Sequence, residues 1–329
     1  MSVVSRPYVN QLARRAAIVL WTALCLALPP ACVATSQLDL RARIARASPP
    51  PAIPRQGLYE GCAPGPALDT CIAHLTRIRA AGFDYVLNYS SWYASPEEVL
   101  RYANAAAMLG LQLIWPLNHQ AWRGLDSLSA TYPDMTGGRP ELSNRDFAAL
   151  AIALVVNHPA TWGFYVGDEV APTEAASVAA LSAVVRRLAP DRPQLYVARP
   201  GAALLEPFAS FVDLAGIDAY PIGSGDPSVR QAARTARAVA AGAGVAAAMV
   251  LQAFSWSQYR PTAAPAGYPT ARNLRKMRDA AIRNGEPSLI LWYSYQDILR
   301  SDRPQQRWCE LVWAAFSPVR HELRLRSCA

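Results

Sequence analysis

The sequence predicts a single (β/α)8 barrel preceded by a leader and a proline-rich linker. Three observations carry the barrel. From Gly57 onward, short apolar runs rich in strand-forming residues alternate with helical patterns. Eight such runs occur, and the stretch from 57 to 329 is the length at which eight strand–helix units close on themselves. An open doubly wound sheet would alternate in the same way, but it needs a glycine-rich turn straight after an early strand. The candidate turn, Gly242-Ala243-Gly244, instead follows a helical pattern and precedes a strand.

The apolar runs span 58–60, 85–89, 111–116, 162–166, 195–198, 214–220, 247–254 and 289–295. Helix signals lie between them. Asp69 or Thr70 is placed to cap a helix whose apolar face is Ile72, Leu75 and Ile78. Ser95-Pro96-Glu97-Glu98 supplies an N-cap, a proline at the first helical position and early acids. Thr173 precedes the helical stripe Val178, Leu181, Val184, Val185 and Leu188. Pro269-Thr270 opens a helix carrying Leu274, Met277, Ala281 and Ile282, and Gly285 is expected to end it. A long insert, 118–143, follows the third strand on the face where such barrels place their active sites.

Residues 1–34 read as a signal peptide. Arg6, Arg14 and Arg15 precede an apolar segment from 16 to 28, and small residues around Ala34 mark a cleavage site. Pro29 and Pro30 stand where a lipoprotein signal ending at Cys32 wants small or aliphatic residues, which disfavours acylation there. Residues 35–56 turn polar and then proline-rich, an extended linker. The barrel is expected over 57–329. No apolar run reaches about 18 residues, so no bilayer-spanning helix is expected in the mature chain. The protein is therefore expected to be secreted or to reside in the periplasm or cell envelope.

With 52% hydrophobic and 17% charged residues, the chain can bury a large core and is not of the disordered class. Three of its 32 basic residues lie in the leader, which leaves 29 against 24 acidic ones. The arginines gather on helix faces, Arg230, Arg234 and Arg237 on one and Arg272, Arg275 and 278–283 on another, and read as solvated surfaces. No basic motif with interleaved aromatics suggests nucleic acid. Four cysteines lie beyond the leader, and an even number in an exported chain implies disulfides. Of the three connectivities, the local one is adopted: Cys62 with Cys71 and Cys309 with Cys328. Neither pair has zinc-motif spacing, so neither a metal nor an organic cofactor is expected.

Side chains at the carboxyl ends of barrel strands converge on one mouth. That rule selects Glu60, Asn88, Trp115, Asn118, His119, Asp168, Glu169, Asp218, Tyr220, Gln252, Trp256, Tyr293, Tyr295 and Asp297. Aromatic rings stack on the apolar faces of sugars while carboxylates and amides bind hydroxyls, so this mixture suits carbohydrate. Cleaving a glycosidic bond needs an acid and a second carboxylate. Asp168 and Glu169 are adjacent acids after an apolar strand, which are costly to hold unless one is protonated or hydrogen-bonded. Asp218 sits inside an otherwise apolar strand and must find a partner or face the mouth.

These segments resemble the glycoside-hydrolase-like barrel superfamily. His158-Pro159 with Gly163-Phe164-Tyr165 and Gly167-Asp168-Glu169 is similar to its fourth strand. Ile217-Asp218-Ala219-Tyr220-Pro221, Gln252-Ala253-Phe254 and Trp292-Tyr293-Ser294-Tyr295 resemble its sixth, seventh and eighth strand ends. The resemblance implies a proton-donating role for Glu169. The sequence departs from the large retaining clan, which has Asn-Glu at strand 4 and a nucleophilic Glu at strand 7; here Asp168 and Gln252 stand in those places. The chitinase-like spacing of acids also fails, at Tyr165 and Gly167.

The expected activity is that of an exported glycoside hydrolase using Glu169 as acid, Asp168 to modulate it and Asp218 as second carboxylate, with Asp297 and Glu60 in reserve. Trp115, Asn118, His119, Tyr220, Gln252, Trp256, Tyr293, Tyr295 and Asp297 are the expected substrate contacts. The alternative is a glycan-binding barrel without turnover.

Overall fold

A computed structural model of the chain describes residues 53–117, 128–139, 141–260 and 267–317. The expected leader and most of the linker, together with Asn118, His119 and Cys328, lie outside the described residues. Eight parallel strands close into a barrel in sequential order. They are β1 (Arg55–Glu60), β2 (Tyr85–Asn88), β3 (Gln112–Pro116), β4 (Thr161–Asp168), β5 (Gln194–Ala198), β6 (Leu214–Ala219), β7 (Ala246–Gln252) and β8 (Leu289–Tyr293). The intervening helices are α1 (Pro64–Ala80), α2 (Pro96–Leu109), α3 (Asn144–Val155), α4 (Ala175–Leu188), α5 (Ala202–Ala209), α6 (Val229–Ala243), α7 (Ala271–Gly285) and α8 (Pro304–Phe316). None of the described helices is long and apolar enough to cross a membrane.

Two apolar layers follow from the period-two alternation of strand side chains. Leu87, Ile114, Tyr165, Val197, Val250 and Leu291 fill the barrel interior. Leu113, Phe164, Val166, Ile217, Ile290 and Trp292 face outward and pack against the helices.

The helix starts test the local reading. Ser95 accepts from the Glu98 backbone while Glu98 reaches back to the Ser95 N–H, a complete capping box. Thr270 caps α7 as expected. Thr173 does not cap: a turn of 3-10 helix, Pro172–Glu174, precedes α4. Asp69 and Thr70 lie inside α1, which begins at Pro64 because proline is pre-set for a first helical turn. At the end of α7 the left-handed residue is Glu286, not Gly285.

Arg278 corrects the reading of a wholly solvated arginine face. It is buried, and its Nη1 donates to the carbonyls of Ala314, Ala315 and Ser317 at 2.6–3.1 Å. A cation there satisfies the last turn of α8, whose carbonyls have no partner within the helix.

Candidate active site

The end of β4 is where the strand pattern breaks. Strict alternation would put Tyr165 and Asp168 on opposite faces. The register against β5 shifts between Tyr165 and Gly167, a bulge that adds one residue and turns Asp168 to the same side as Tyr165. Gly167 permits it, because a Cβ there would meet the Tyr196 ring at 2.6 Å. The next residue, Glu169, has a φ of 49°, a left-handed conformation that a non-glycine residue adopts only when its surroundings impose it. Its backbone N–H donates to the Val197 carbonyl at 2.9 Å.

The Asp168 carboxylate accepts from Tyr89 Oη at 2.6 Å and Tyr165 Oη at 2.8 Å. Burial pushes its pKa up; the two phenols pull it down, and the neighbouring Glu169 raises it again. Glu169 Oε2 accepts from Arg199 Nε at 2.6 Å, just past β5. Asp218, on β6, is buried close to Glu169 and Tyr220. Burial, then the charges of Asp168 and Glu169, push it well above the usual carboxylate range. Its Oδ1 has no hydrogen-bond partner among the described residues.

Tyrosines surround these acids. Tyr59 lies 5.2 Å from Tyr89, 6.0 Å from Tyr165 and 5.2 Å from Tyr293 between ring centroids, and Tyr293 lies 5.8 Å from Tyr220. Burial first, then the nearby carboxylates, raise the pKa of Tyr59, Tyr89, Tyr165 and Tyr220. Each phenol thus stays a neutral O–H that donates a hydrogen bond.

The mouth brings together Asp168, Glu169, Asp218, Tyr220, Trp256 and Tyr293 of the expected residues. Trp256 is half-buried, its Nε1 donating to the Tyr220 carbonyl at 3.2 Å and its ring covered by the Arg260 guanidinium at 4.8 Å. The remaining expectations fall elsewhere. Trp115 is buried outside the barrel, stacked on Trp92 at 5.3 Å and donating to Thr161 Oγ1, because its neighbour Ile114 takes the inward position. Tyr295 is buried between His74 and Trp308. Gln252 is buried, accepting from Ile222 N and donating to the Ile222 and Phe254 carbonyls. Asp297 lies in the short helix Tyr295–Leu299, which Ser294 caps by accepting from the Asp297 N–H, and its carboxylate accepts from Ser294 and Tyr259. Glu60 accepts from the Cys62 N–H at 2.7 Å and faces His74 Nδ1 at 3.0 Å; Asn88 bonds Cys62 O and Ser90 N. Tyr59, Tyr89, Tyr165 and Arg199 were not among the residues selected from the sequence.

Cys62 and Cys71 form a disulfide, as expected, with an S–S distance of 2.01 Å. Cys309 lies in α8, and its expected partner Cys328 is outside the described residues. Glu60, Cys62 and His74 gather donor atoms of metal-ligand type within 4.8 Å of one another. The disulfide already takes the Cys62 sulfur, so the trio does not offer a thiolate.

Solved structures of several glycoside hydrolases share this fold. A β-galactosidase from the psychrophilic Marinomonas ef1 superposes with a TM-score of 0.57 at 12% identity, over 79% of this chain and 59% of that one. A glycoside hydrolase family 5 protein from Bacteroides vulgatus ATCC 8482 gives 0.54 at 11%, over 74% and 58%. A GH2 β-galacturonidase from Eisenbergiella tayi, bound to galacturonate, gives 0.53 at 12%, over 74% and 44%. The chain thus spans about half the length of these proteins. No protein-family model matches the sequence, and no curated protein matches it.

Proposed function

We propose that the protein is an exported glycoside hydrolase that cleaves a poly- or oligosaccharide by carboxylate acid/base catalysis. The observation that carries this reading is the cluster of Asp168, Glu169 and Asp218 at the mouth, in which burial and the neighbouring acids push Asp218 toward its protonated form while Glu169 pairs with Arg199. Glu169 is the half-exposed member and the one a leaving oxygen reaches, so it delivers the proton. Asp168 sets the local field, and Asp218 is the second carboxylate. A carboxyl separation of roughly 5–5.5 Å in the substrate complex goes with retention and about 6.5–9.5 Å with inversion. The carbohydrate class follows from the tyrosine-lined mouth and from glycoside-cleaving neighbours. Export follows from the basic, apolar leader and agrees with a disulfide.

One observation favours glycan binding without turnover. Gln252 stands where the retaining clan has its nucleophile, and its amide is fully engaged by backbone. A screen of soluble polysaccharides for released reducing ends, run on wild type and Glu169→Gln, decides between the two. Release by wild type and loss in the variant supports hydrolysis. Binding with no release supports the alternative. Full activity in a folded Glu169→Gln protein refutes the assignment of Glu169. The anomer formed first, read by NMR, tells retention from inversion.

A further inference from the structure

Beside the mouth lies a second concavity of about 970 Å³. It is walled by the start of α1, by the loop after β2 and by the described part of the insert after β3. All three follow the carboxyl ends of strands, so it opens on the same face as the acids. Its volume is in the range of small-molecule sites. Tyr93 stands on its wall 45% exposed, one of three large hydrophobic side chains in that state among the described residues. The Tyr93 ring meets Tyr132 edge-on at 4.8 Å, and burial pushes the Tyr132 phenol up to about 12, so it remains a donor. Asp134 adds an exposed carboxylate beside this pair.

The wall is preformed. Gly65 N donates to the Tyr93 carbonyl at 2.9 Å, and a Cβ on Gly65 would meet that oxygen at 2.6 Å. Trp92 Nε1 donates to the Pro116 carbonyl at 2.6 Å, and the Trp92 ring stacks on Trp115. The loop that carries Tyr93 also carries Tyr89, which donates to Asp168. At most about 14 Å of extended chain separates the two residues, and the turn that bonds Tyr93 N to Ser90 O shortens it. An exposed, fixed aromatic face with a carboxylate and a phenol beside it has the chemistry of a sugar-stacking platform.

We propose that this concavity is a distal subsite that stacks one sugar residue of the same chain whose bond is cut at the mouth. The substrate is therefore a polymer or long oligomer, read from Tyr93 back to Glu169. This rests on the carbohydrate reading above and adds the substrate's length and a second contact.

The test compares kcat/KM for the soluble polysaccharide that wild type cleaves best with that for its disaccharide. In Tyr93→Ala the polymer-to-disaccharide ratio falls about tenfold, through KM rather than kcat. Tyr93→Phe keeps the stacking face and restores most of the ratio. Met108→Ala, an 83% exposed apolar residue of α2 outside the concavity, leaves the ratio unchanged. Melting curves of each variant exclude misfolding. An unchanged ratio in folded Tyr93→Ala overturns the subsite while leaving hydrolysis at the mouth intact. If wild type neither binds nor cleaves any polysaccharide of the panel, the carbohydrate reading falls and the subsite with it.

Discussion

The two sides of the barrel mouth treat polar side chains in opposite ways. Around β7 and β8, they are spent on the scaffold. Gln252 closes three bonds with backbone, and Asp297 accepts from the helix-capping Ser294 and from Tyr259, whose loop also bonds the Asp297 carbonyl through Gln258. Around β4 and β6 the acids crowd together, Asp168 bonded to two phenols and Glu169 to one arginine, and an oxygen of Asp218 is left over. Buried polar groups are normally satisfied because each unpaired one costs about 1–3 kcal/mol. Of the described acids and amides at the mouth, Asp218 is the one with an unpaired buried oxygen, which puts the group proposed to react on the open, β4–β6 side. The same side carries the bulge and the left-handed Glu169, so the backbone is strained where the chemistry is proposed.

The sharpest way to break this comparison is to remove acids from the open side. Glu169→Gln or Asp218→Asn should cost about 100- to 10 000-fold in kcat, the usual worth of a positioned acid or base. Neither should lower the melting temperature, since each removes a carboxylate from a crowded group of three. Steady-state kinetics and calorimetry on the same preparations check both halves. A variant that loses stability in step with activity would mean that the open side is scaffold too.

The closed side should respond in the reverse sense. Gln252→Ala leaves Ile222 N–H and two carbonyls without their partner, and is expected to cost about 3 kcal/mol of stability. Gln252→Glu places an acid where the retaining clan has one, but a carboxylate cannot donate to the Ile222 and Phe254 carbonyls. It should destabilise without raising turnover. Denaturant titration and kcat, read together, check the pair.

This division explains what was legible in the sequence. The barrel was, because eight apolar runs separated by helical periods leave few other closures, and the structure places a strand in each. Asp168, Glu169 and Asp218 were legible as acids in apolar strand contexts. The facing of Trp115 was not: a strand end tells how far along the barrel a residue lies, while parity decides which layer it enters, and Ile114 holds the inner place. Tyr59, Tyr89 and Tyr165 escaped because tyrosine is an ordinary strand residue. Their role arises from the barrel's closure, which brings β1, β2 and β4 together around Asp168. The bulge leaves no mark in the hydrophobic period, although Gly167 before two acids is the residue that allows it.

A smaller effect concerns the loop between β1 and α1, where Glu60 and Asn88 bond to the backbone of Cys62. The Cys62–Cys71 bridge spans a sequence separation of 9 in that loop. Constraint of the unfolded chain by a loop of that size is worth ~2.5 kcal/mol. Protein recovered from an oxidising compartment should show no free thiol at Cys62, Cys71, Cys309 or Cys328, and reduction should lower the melting temperature. Four titratable thiols in such protein would refute the pairing and remove a support for export.

The last test reads the open side through pH. The Asp218 carboxyl is pushed up in the folded state by burial and by Asp168 and Glu169, whereas in the unfolded chain it returns to about 3.9. Between those two values the folded state binds the extra proton, so stability falls as pH rises. The stabilising share is complete below the unfolded value and is lost progressively up to the folded one. Each pH unit crossed in that window costs about 1.4 kcal/mol. The amide introduced by Asp218→Asn resembles the protonated acid and does not titrate. The variant's advantage over wild type should therefore be near its minimum at about pH 4 and should grow toward neutrality, before levelling where Asp218 ionises in the native state. Melting temperatures of both proteins at several pH values measure that difference directly. A difference that stays flat across the range would mean that Asp218 is ionised in the native protein throughout, and would overturn its upward shift.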